Sequence, residues 1–177
     1  MQACISGLRT LFKKDDTFTF ISTKPHDQQY DVRKKIIALM SSYNTKVVLM
    51  DNTPPGQALT LFNGMSQKDI WDYTVYEQPS TVINLDQFVF FNPSDIDLNV
   101  PSVGIYFNDK DRSCYFDIDL ISKKVKTIKE KEKISSYASA GVFYFPSIIQ
   151  MMEAIRWGID RKVTTNGELY LSSCLDY

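Results

Sequence analysis

The sequence has very little histidine and cysteine, the residue types on which many metal and nucleophile sites depend. Its 177 residues include one histidine, His26, and three widely spaced cysteines, Cys4, Cys114 and Cys174. They form no Cys-x-x-Cys pair, and their spacing fits neither a zinc site nor a disulfide framework. Three unpaired thiols are typical of a reducing compartment, so the sequence predicts a cytoplasmic protein.

An excess of charge of one sign is also missing. Lys and Arg total 20 against 21 Asp and Glu, which leaves a net charge of -1. Nucleic-acid-binding domains usually carry a basic surplus, so no nucleic-acid partner is expected. No apolar run approaches the roughly 20 residues that a membrane helix needs, and residues 1–12 lack the features of a signal peptide. No membrane partner is expected either.

What the chain does have is an alternation of apolar strands and amphipathic helices, at a length that suits a single domain over residues 1–177. Apolar runs at 17–22, 45–50 and 81–85 predict three parallel strands of one sheet, since helical patterns separate them. Asp31 is predicted to cap the first of these helices. The fold class is therefore α/β, a three-layer α/β/α arrangement with a sheet partly parallel and partly mixed.

The second half of the chain predicts shorter strands, at residues 103–108, 113–119, 124–128 and 138–145. The polar segment 108–112 predicts a hairpin between the first two of these strands. A helix is expected from about Pro146 to Arg161, and a short one over residues 168–175. Because ligands bind outside the carboxyl ends of strands in such sheets, the loops after Ser22, Met50 and Leu85 are the candidate site.

Six segments, taken in order, resemble the sugar-1-phosphate nucleotidyltransferases, and most closely the members associated with capsules and polysaccharides. No single segment is specific, but the collinear set covers essentially the whole chain. The segments are 18–24 with His26, 47–60 with its Gly-Gln-Ala, 81–89 (TVINLDQFV), 127–135 with its Glu-Lys pair, 138–145 (ASAGVFYF) and 166–170 (NGELY).

The resemblance implies transfer of a nucleotidyl group from a nucleoside triphosphate to a sugar 1-phosphate, in the synthesis of a surface-polysaccharide precursor. It implies Mg²⁺ as the cofactor, held by Asp86. It also implies Lys131 as the catalytic cation at the sugar phosphate. The other substrate-binding residues that it implies are Gln57 near the nucleobase, Glu130 and Glu168 at sugar hydroxyls, and Gly141 where the sugar approaches the backbone.

Each of these residues also has an ordinary structural interpretation, which the sequence leaves open. Asp86 suits a helix cap or a turn, and Lys131 lies in a KEKEK run of the kind that usually faces solvent. Gly141 is also typical of a β-bulge. Gln57 is also typical of a polar helix start, Glu168 of an acidic first turn, and His26, after Pro25, of a loop.

The chain departs from the family's pattern at both ends. The Gly-rich turn with its Arg, the Pro-Lys-Pro segment and the first strand would precede Met1, and a second metal-binding Asp would follow the last residues. The sequence is thus expected to be an incomplete domain that makes no sugar nucleotide at a useful rate. The missing strand would leave a gap between residues 18–21 and 82–85, for which direct pairing is predicted. The alternatives are a strand donated by another chain, as in a homo-oligomer, or a longer protein.

Two other functions compete with the enzyme. One is a non-catalytic, truncated relative that serves as a binding or interaction module. The other is a glycosyltransferase with a similar nucleotide-binding fold. No Asp-x-Asp in the sequence has the context that such an enzyme requires, since Asp117-Ile118-Asp119, for example, falls on a predicted strand.

Overall fold

The computed structural model describes residues 13–67, 75–84, 96–110 and 112–176. In these ranges the chain forms strands and α-helices in mixed order and ends in a 3-10 helix, Ser172–Asp176. The strands are β1 (Thr17–Thr23), β2 (Asn44–Met50), β3 (Ser80–Ile83), β4 (Ser102–Phe107), β5 (Cys114–Asp119), β6 (Lys124–Glu130) and β7 (Tyr137–Phe145). The helices are α1 (Lys24–Tyr30), α2 (Val32–Leu39), α3 (Gln57–Met65) and α4 (Ile148–Asp160).

Strands β1 and β2 form a parallel pair, as the sequence predicts. Their register runs from Thr17 opposite Asn44 to Thr23 opposite Met50. The two helices between them complete the crossover that parallel neighbours need. Both strands therefore end at the same edge of this sheet, so the loops that follow them lie together.

Helix α1 was not predicted, and His26 lies in it rather than in a loop. Pro25 suits the first helical turn because it has no N–H to satisfy there, and the Thr23 hydroxyl accepts a hydrogen bond from the His26 amide. Asp31 joins α1 to α2 in a left-handed conformation, but its side chain caps neither helix. The capping carboxylate belongs to Asp27, which accepts from the Arg33 amide at 2.6 Å.

The prediction that β3 is a third parallel strand of the same sheet is wrong. β3 belongs to a second sheet, in the order β3-β7-β5-β6, and runs antiparallel to β7 with Ile83 opposite Val142. The predicted direct pairing of β1 with β3 is wrong as well, because in the described residues β1 pairs with β2 and β3 with β7. An apolar run identifies a buried strand but does not encode its direction.

The predicted hairpin at residues 108–112 is also wrong. Strand β4 pairs along β7 instead, and the Asn108 amide continues this alignment by donating to the Ser136 carbonyl at 2.8 Å. The hairpin joins β5 to β6, and its turn is closed by Asp119, whose carboxylate accepts from the Ile121 and Ser122 amides. β4 and β3 occupy opposite edges of β7, since both pair with Phe143.

The main core lies between β7, α3, α4 and the C-terminal segment, which is the part of the chain that follows α4. A smaller core lies under α2. The smaller cluster is built on Phe20, Ile36 and Met40. Helix α3 links the two sheets: it lies over β1, where the Ile21 side chain contacts Gly64, and its buried residues join the main core. Buried members of the main core include Ala58, Met65, Phe143, Phe145, Met151, Ile155, Leu169, Leu171 and Cys174.

The C-terminal segment is not the predicted helix over residues 168–175. A turn with a bridge between Thr165 and Glu168 is followed by irregular backbone and then by the 3-10 helix. The Leu169 amide is bonded to Pro55 before α3 and the Leu169 carbonyl to Ala58 in the first turn of α3, and so they are not available for helical hydrogen bonds. The helix predicted near Pro146 is confirmed as α4, capped by the Ser147 hydroxyl. No helix in the described part of the chain has the length and apolar character to cross a membrane.

Candidate functional site

A polar cleft of about 610 Å³ lies where the parallel strands β1 and β2 end. Lys24 follows β1 and Asp51 follows β2, and the Lys24 Nζ lies 2.6 Å from an Asp51 carboxylate oxygen. Asn63 and Gln67, on and just after α3, provide further polar side chains. The segments after Ser22 and Met50 both line this cleft, although the segment after Ser22 is the end of β1 and the start of α1 rather than a loop. The loop after Leu85 lies outside the described residues, and that this edge of the sheet binds a ligand stays a prediction.

Gln57 and Gly141, both predicted substrate-binding residues, are joined through Asn84. The Gln57 side-chain amide donates to the Asn84 side-chain oxygen, and the Asn84 backbone amide donates to the Gly141 carbonyl at 3.0 Å. Asn84 is the residue directly after β3, and Gly141 lies in the middle of β7 with φ 68°. Glycine adopts this left-handed conformation at little cost, and the Asn84–Gly141 bond extends the β3–β7 pairing by one residue.

Lys131, the predicted catalytic cation, meets Glu168 through the hydroxyl of Tyr170. The Lys131 ammonium donates to that hydroxyl, which donates in turn to a Glu168 carboxylate oxygen. Lys131 Nζ lies 3.6 Å from the same oxygen and 4.7 Å from the centre of the Tyr170 ring. The three side chains thus form one hydrogen-bonded group, within which Lys131 and Glu168 keep a third to a half of their surface exposed.

The electrostatics of this group favour charged Lys131 and charged Glu168. The hydrogen bond from the Tyr170 hydroxyl lowers the pKa of Glu168, and the ammonium of Lys131 acts in the same direction. The hydrogen bond with Tyr170 raises the pKa of Lys131. Burial is the main cause that raises the pKa of Tyr170, so its phenol stays protonated and able to donate.

Glu130 is held beside the same C-terminal segment, but by a different residue. One of its carboxylate oxygens accepts from the hydroxyl of Ser172, a buried residue, at 2.9 Å. The thiol of Cys114 lies in the same neighbourhood, where burial raises its pKa to about 12 and the Glu130 carboxylate adds to the effect. Glu130 and Lys131 are consecutive, and they contact a short stretch of the C-terminal segment that runs from Glu168 to Ser172.

The two halves of the site are tied together by backbone hydrogen bonds. The Leu169 amide donates to the Pro55 carbonyl at 3.1 Å, and the Leu169 carbonyl accepts from the Ala58 amide at 3.0 Å. Gly56 lies between these bonds with φ 103°. The turn that carries Glu168 is therefore fixed to the start of α3, where Gln57 lies.

Five of the six predicted site residues consequently belong to one connected set. The connection runs from Gly141 through Asn84 to Gln57, across the Ala58–Leu169 backbone bond, and through Glu168 and Tyr170 to Lys131 and Glu130. Asp86, the predicted metal ligand, lies outside the described residues. Within the described ranges, no group of three or more His, Cys, Asp or Glu side chains is arranged to hold a metal ion.

Sequence reasoning assigned no role to three features of this site: Tyr170, Ser172 and the Lys24–Asp51 pair. Tyr170 was visible as the last residue of the NGELY turn, but its partner Lys131 lies 39 positions away in the sequence. Ser172 lies 42 positions from Glu130. Neither pair has a local signal, since the fold alone brings the two segments together.

No protein-family model and no curated protein matches the chain. Among solved structures it is similar to the nucleoside-diphosphate-sugar pyrophosphorylase from Vibrio cholerae RC9, with a TM-score of 0.82. The match covers 98% of this chain and 72% of that one at 22% sequence identity. At this identity the likeness establishes the fold, which is a nucleotidyltransferase-like α/β fold.

Proposed function

We propose that this chain is a nucleotidyltransferase-like protein related to enzymes that transfer a nucleotidyl group from a nucleoside triphosphate to a sugar 1-phosphate. In that reaction a phosphate oxygen of the sugar 1-phosphate attacks the α-phosphorus, the bond from this phosphorus to the bridging oxygen breaks, and pyrophosphate leaves. The pathway proposed for the product is surface or capsular polysaccharide synthesis. Little covalent chemistry is needed from the protein, which acts by positioning the groups and neutralising charge.

Each described site residue has a role that its chemistry permits. Lys131 brings a positive charge to the phosphate of the sugar 1-phosphate, while Glu130 and Glu168 accept hydrogen bonds from sugar hydroxyls. Gly141 carries no side chain at the point where a sugar would approach β7. Gln57 offers an amide that reads a nucleobase edge. Mg²⁺ at Asp86 remains part of the proposal, and when bound it would neutralise charge on phosphate oxygens.

The observation that carries the proposal is the convergence of residues from distant parts of the sequence. Lys131, Glu168 and Tyr170 form one hydrogen-bonded group, and the Ala58–Leu169 bond connects that group to Gln57 and the cleft after β2. Charged side chains on a surface without a ligand gain little from such an arrangement. A site that positions a phosphate and several hydroxyls needs it.

The proposal is tested by titrating the purified chain with a panel of hexose 1-phosphates and with inorganic phosphate, using isothermal calorimetry. We expect a hexose 1-phosphate to bind more tightly than phosphate alone, and Lys131→Met to weaken binding of both. Lys162→Met is the matched control, because Lys162 shares the left-handed backbone of Lys131 but lies after α4. The proposal fails if no hexose 1-phosphate binds, or if both variants weaken binding equally.

A second candidate function is a non-catalytic relative that acts as a binding or interaction module. The charges in the two parts of the site favour it: the cations Lys24 and Lys131 are outnumbered by the carboxylates Asp51, Glu130 and Glu168. Both cations are already paired with a carboxylate. A triphosphate carries several negative charges, and this set alone offers no surplus of positive charge to neutralise them.

Pyrophosphate release distinguishes the two candidates. The chain is incubated with Mg²⁺, each nucleoside triphosphate in turn and the hexose 1-phosphates, and pyrophosphate is measured with a coupled enzyme assay. Sugar-phosphate binding without pyrophosphate release supports the binding module. Release well above background, lost in Lys131→Met but kept in Lys162→Met, supports the enzyme.

A further inference from the structure

The side chain of Lys131 is held at both of its ends. Its backbone adopts a left-handed conformation, with φ 61°, that residues other than glycine rarely take. The Lys131 amide donates to the Ser113 carbonyl at 2.9 Å, which helps to keep this conformation. At the far end, the ammonium is bound to the hydroxyl of Tyr170. A solvent-exposed lysine would normally lose considerable rotamer freedom on being fixed in this way.

Tyr170 makes two different contacts with the ammonium. Its ring centre lies 4.7 Å from Lys131 Nζ, within the range of a cation–π interaction. Its hydroxyl accepts a hydrogen bond from Lys131 and donates one to Glu168, so one oxygen links the cation to the carboxylate. An ammonium has three N–H donors, and the link to Tyr170 uses only one of them.

Tyr170 is itself held firmly by its neighbours in the sequence. Leu169 and Leu171 on either side are almost fully buried, at 2% and 0% exposure. The Leu169 backbone is bonded to Pro55 and Ala58, and the Tyr170 carbonyl accepts from the Cys174 thiol at 3.4 Å. Tyr170 therefore provides a rigid support, anchored in the main core, for a flexible side chain at the surface.

We propose that Tyr170 is a positioning residue, which orients the Lys131 ammonium toward the phosphate of a sugar 1-phosphate. The inference rests on the proposed function of the site. Tyr170 acts through Lys131: it restricts the ammonium before the ligand arrives, so that less rotamer freedom is lost on binding. Removing only the hydroxyl frees the ammonium and weakens phosphate binding, while the ring that packs beside it stays in place.

The test is Tyr170→Phe, with hexose 1-phosphates and inorganic phosphate as probes in calorimetry. We expect the Kd for both to rise by about three- to tenfold, the usual loss when one hydrogen bond is removed. Tyr106→Phe is the matched control, because Tyr106 lies exposed on β4. It should leave the Kd unchanged. Circular dichroism and the Tm of both variants check that the fold is retained.

A double-mutant cycle separates positioning from a general structural role. In a Lys131→Met background, Tyr170→Phe should have no further effect on phosphate binding, because the residue that it orients is absent. The titration of Lys131, followed by the ¹³Cε signal in NMR, provides a second readout. Its pKa is raised chiefly by the hydrogen bond with Tyr170, and it should fall in Tyr170→Phe.

The possible failures are distinguishable. If the wild-type chain binds none of the probes, the proposed function fails, and an unchanged Lys131 titration in Tyr170→Phe would then overturn the positioning role too. If the wild type binds but Tyr170→Phe binds equally well, only the inference is overturned. Equal weakening by Tyr170→Phe with and without Lys131 also overturns it, since that pattern belongs to a structural defect.

Discussion

Gly56 lies so close to the backbone of Leu169 that a Cβ atom on the glycine would come within 2.3 Å of the Leu169 carbonyl oxygen. The contact is between two backbone segments, neither of which can move aside as a side chain would. It allows the hydrogen bonds on either side of Gly56, from Leu169 to Pro55 and from Ala58 to Leu169. The cleft after β2 and the turn that carries Glu168 depend on this one position.

We predict that Gly56→Ala destabilises the protein by more than about 2 kcal/mol, since both its left-handed φ of 103° and the contact with Leu169 oppose a side chain. Gly167→Ala is the matched control. Gly167 has a φ of 80° but no atom within 4 Å of a Cβ, so only backbone strain of about 1–2 kcal/mol should appear. Urea unfolding measures both. An equal loss in the two variants would mean that the Leu169 contact contributes nothing.

Replacing Lys131 by glycine should separate stability from binding. Lys131 and Lys162 both have left-handed backbones, with φ 61° and 54°, so glycine relieves strain at either position. Lys162→Gly is expected to add about 0.5–1 kcal/mol, or roughly 1–4 °C in Tm, and to leave sugar-phosphate binding intact. Lys131→Gly should raise the Tm less than Lys162→Gly does, because it also loses the contacts with Tyr170 and Glu168, and it should weaken that binding. Equal loss of sugar-phosphate binding in the two glycine variants would contradict a specific role for the Lys131 ammonium.

The Lys131–Tyr170–Glu168 group gives stability a defined pH dependence. The pKa of Glu168 lies below its ordinary 4.5, so its contribution is present above that value and is lost as the pH falls through the folded pKa. The pKa of Lys131 lies above 10.5, so its contribution is present below 10.5 and is lost as the pH rises through the folded value. The group should therefore stabilise the protein across the whole neutral range.

The acid side of this prediction is measured by urea unfolding of the wild type and Glu168→Gln between about pH 3 and pH 8. The difference in stability between them should be small, because Glu168 is about half exposed, and should shrink below pH 4.5. Glu132→Gln is the control, since its carboxylate is exposed and 4.0 Å from Lys129 Nζ. If the stability difference between the wild type and Glu168→Gln grows toward low pH, the predicted direction of the pH dependence is wrong.

Cys114 and Cys174 should resist thiol reagents as long as the protein is folded. Both are buried, and burial raises the pKa of each thiol to about 12, so almost no thiolate exists near pH 8. In a Cys4→Ser variant, mass spectrometry should find no iodoacetamide adduct under native conditions and two adducts in urea. Rapid labelling of either residue in the folded state would contradict the burial.

The features that the sequence predicted correctly are those with local signals. Strands β1 and β2 follow from apolar runs, and α4 follows from its helical period and its start next to Pro146, where Ser147 supplies the cap. The same reasoning failed for β3, whose direction is decided by its partner β7, about 60 residues further along the chain. It failed for the predicted hairpin because β4 pairs with β7, about 30 to 40 residues further along the chain, and not with its sequence neighbour β5.

The candidate site shows the same contrast between residues that carry a local sequence signal and residues whose partners are distant in the sequence. A collinear set of weak motifs named Gln57, Glu130, Lys131, Gly141 and Glu168, and the fold connects all five. The residues that make the connections were not assigned roles, because Tyr170 and Ser172 act through partners that only the tertiary structure brings near. Asp86, and with it the proposed Mg²⁺ site, stays a prediction.

Strand β7 pairs with three other strands, and this limits where the chain tolerates changes in length. Inserting or deleting one residue in β7 would turn its side chains to the opposite face and shift Gly141 away from Asn84, so the damage would spread to β3, β4 and β5 together. The turn between β5 and β6 has no such constraint, since Ile121 at its tip is 97% exposed. Among related sequences, gaps should therefore collect at that turn and be absent from β7.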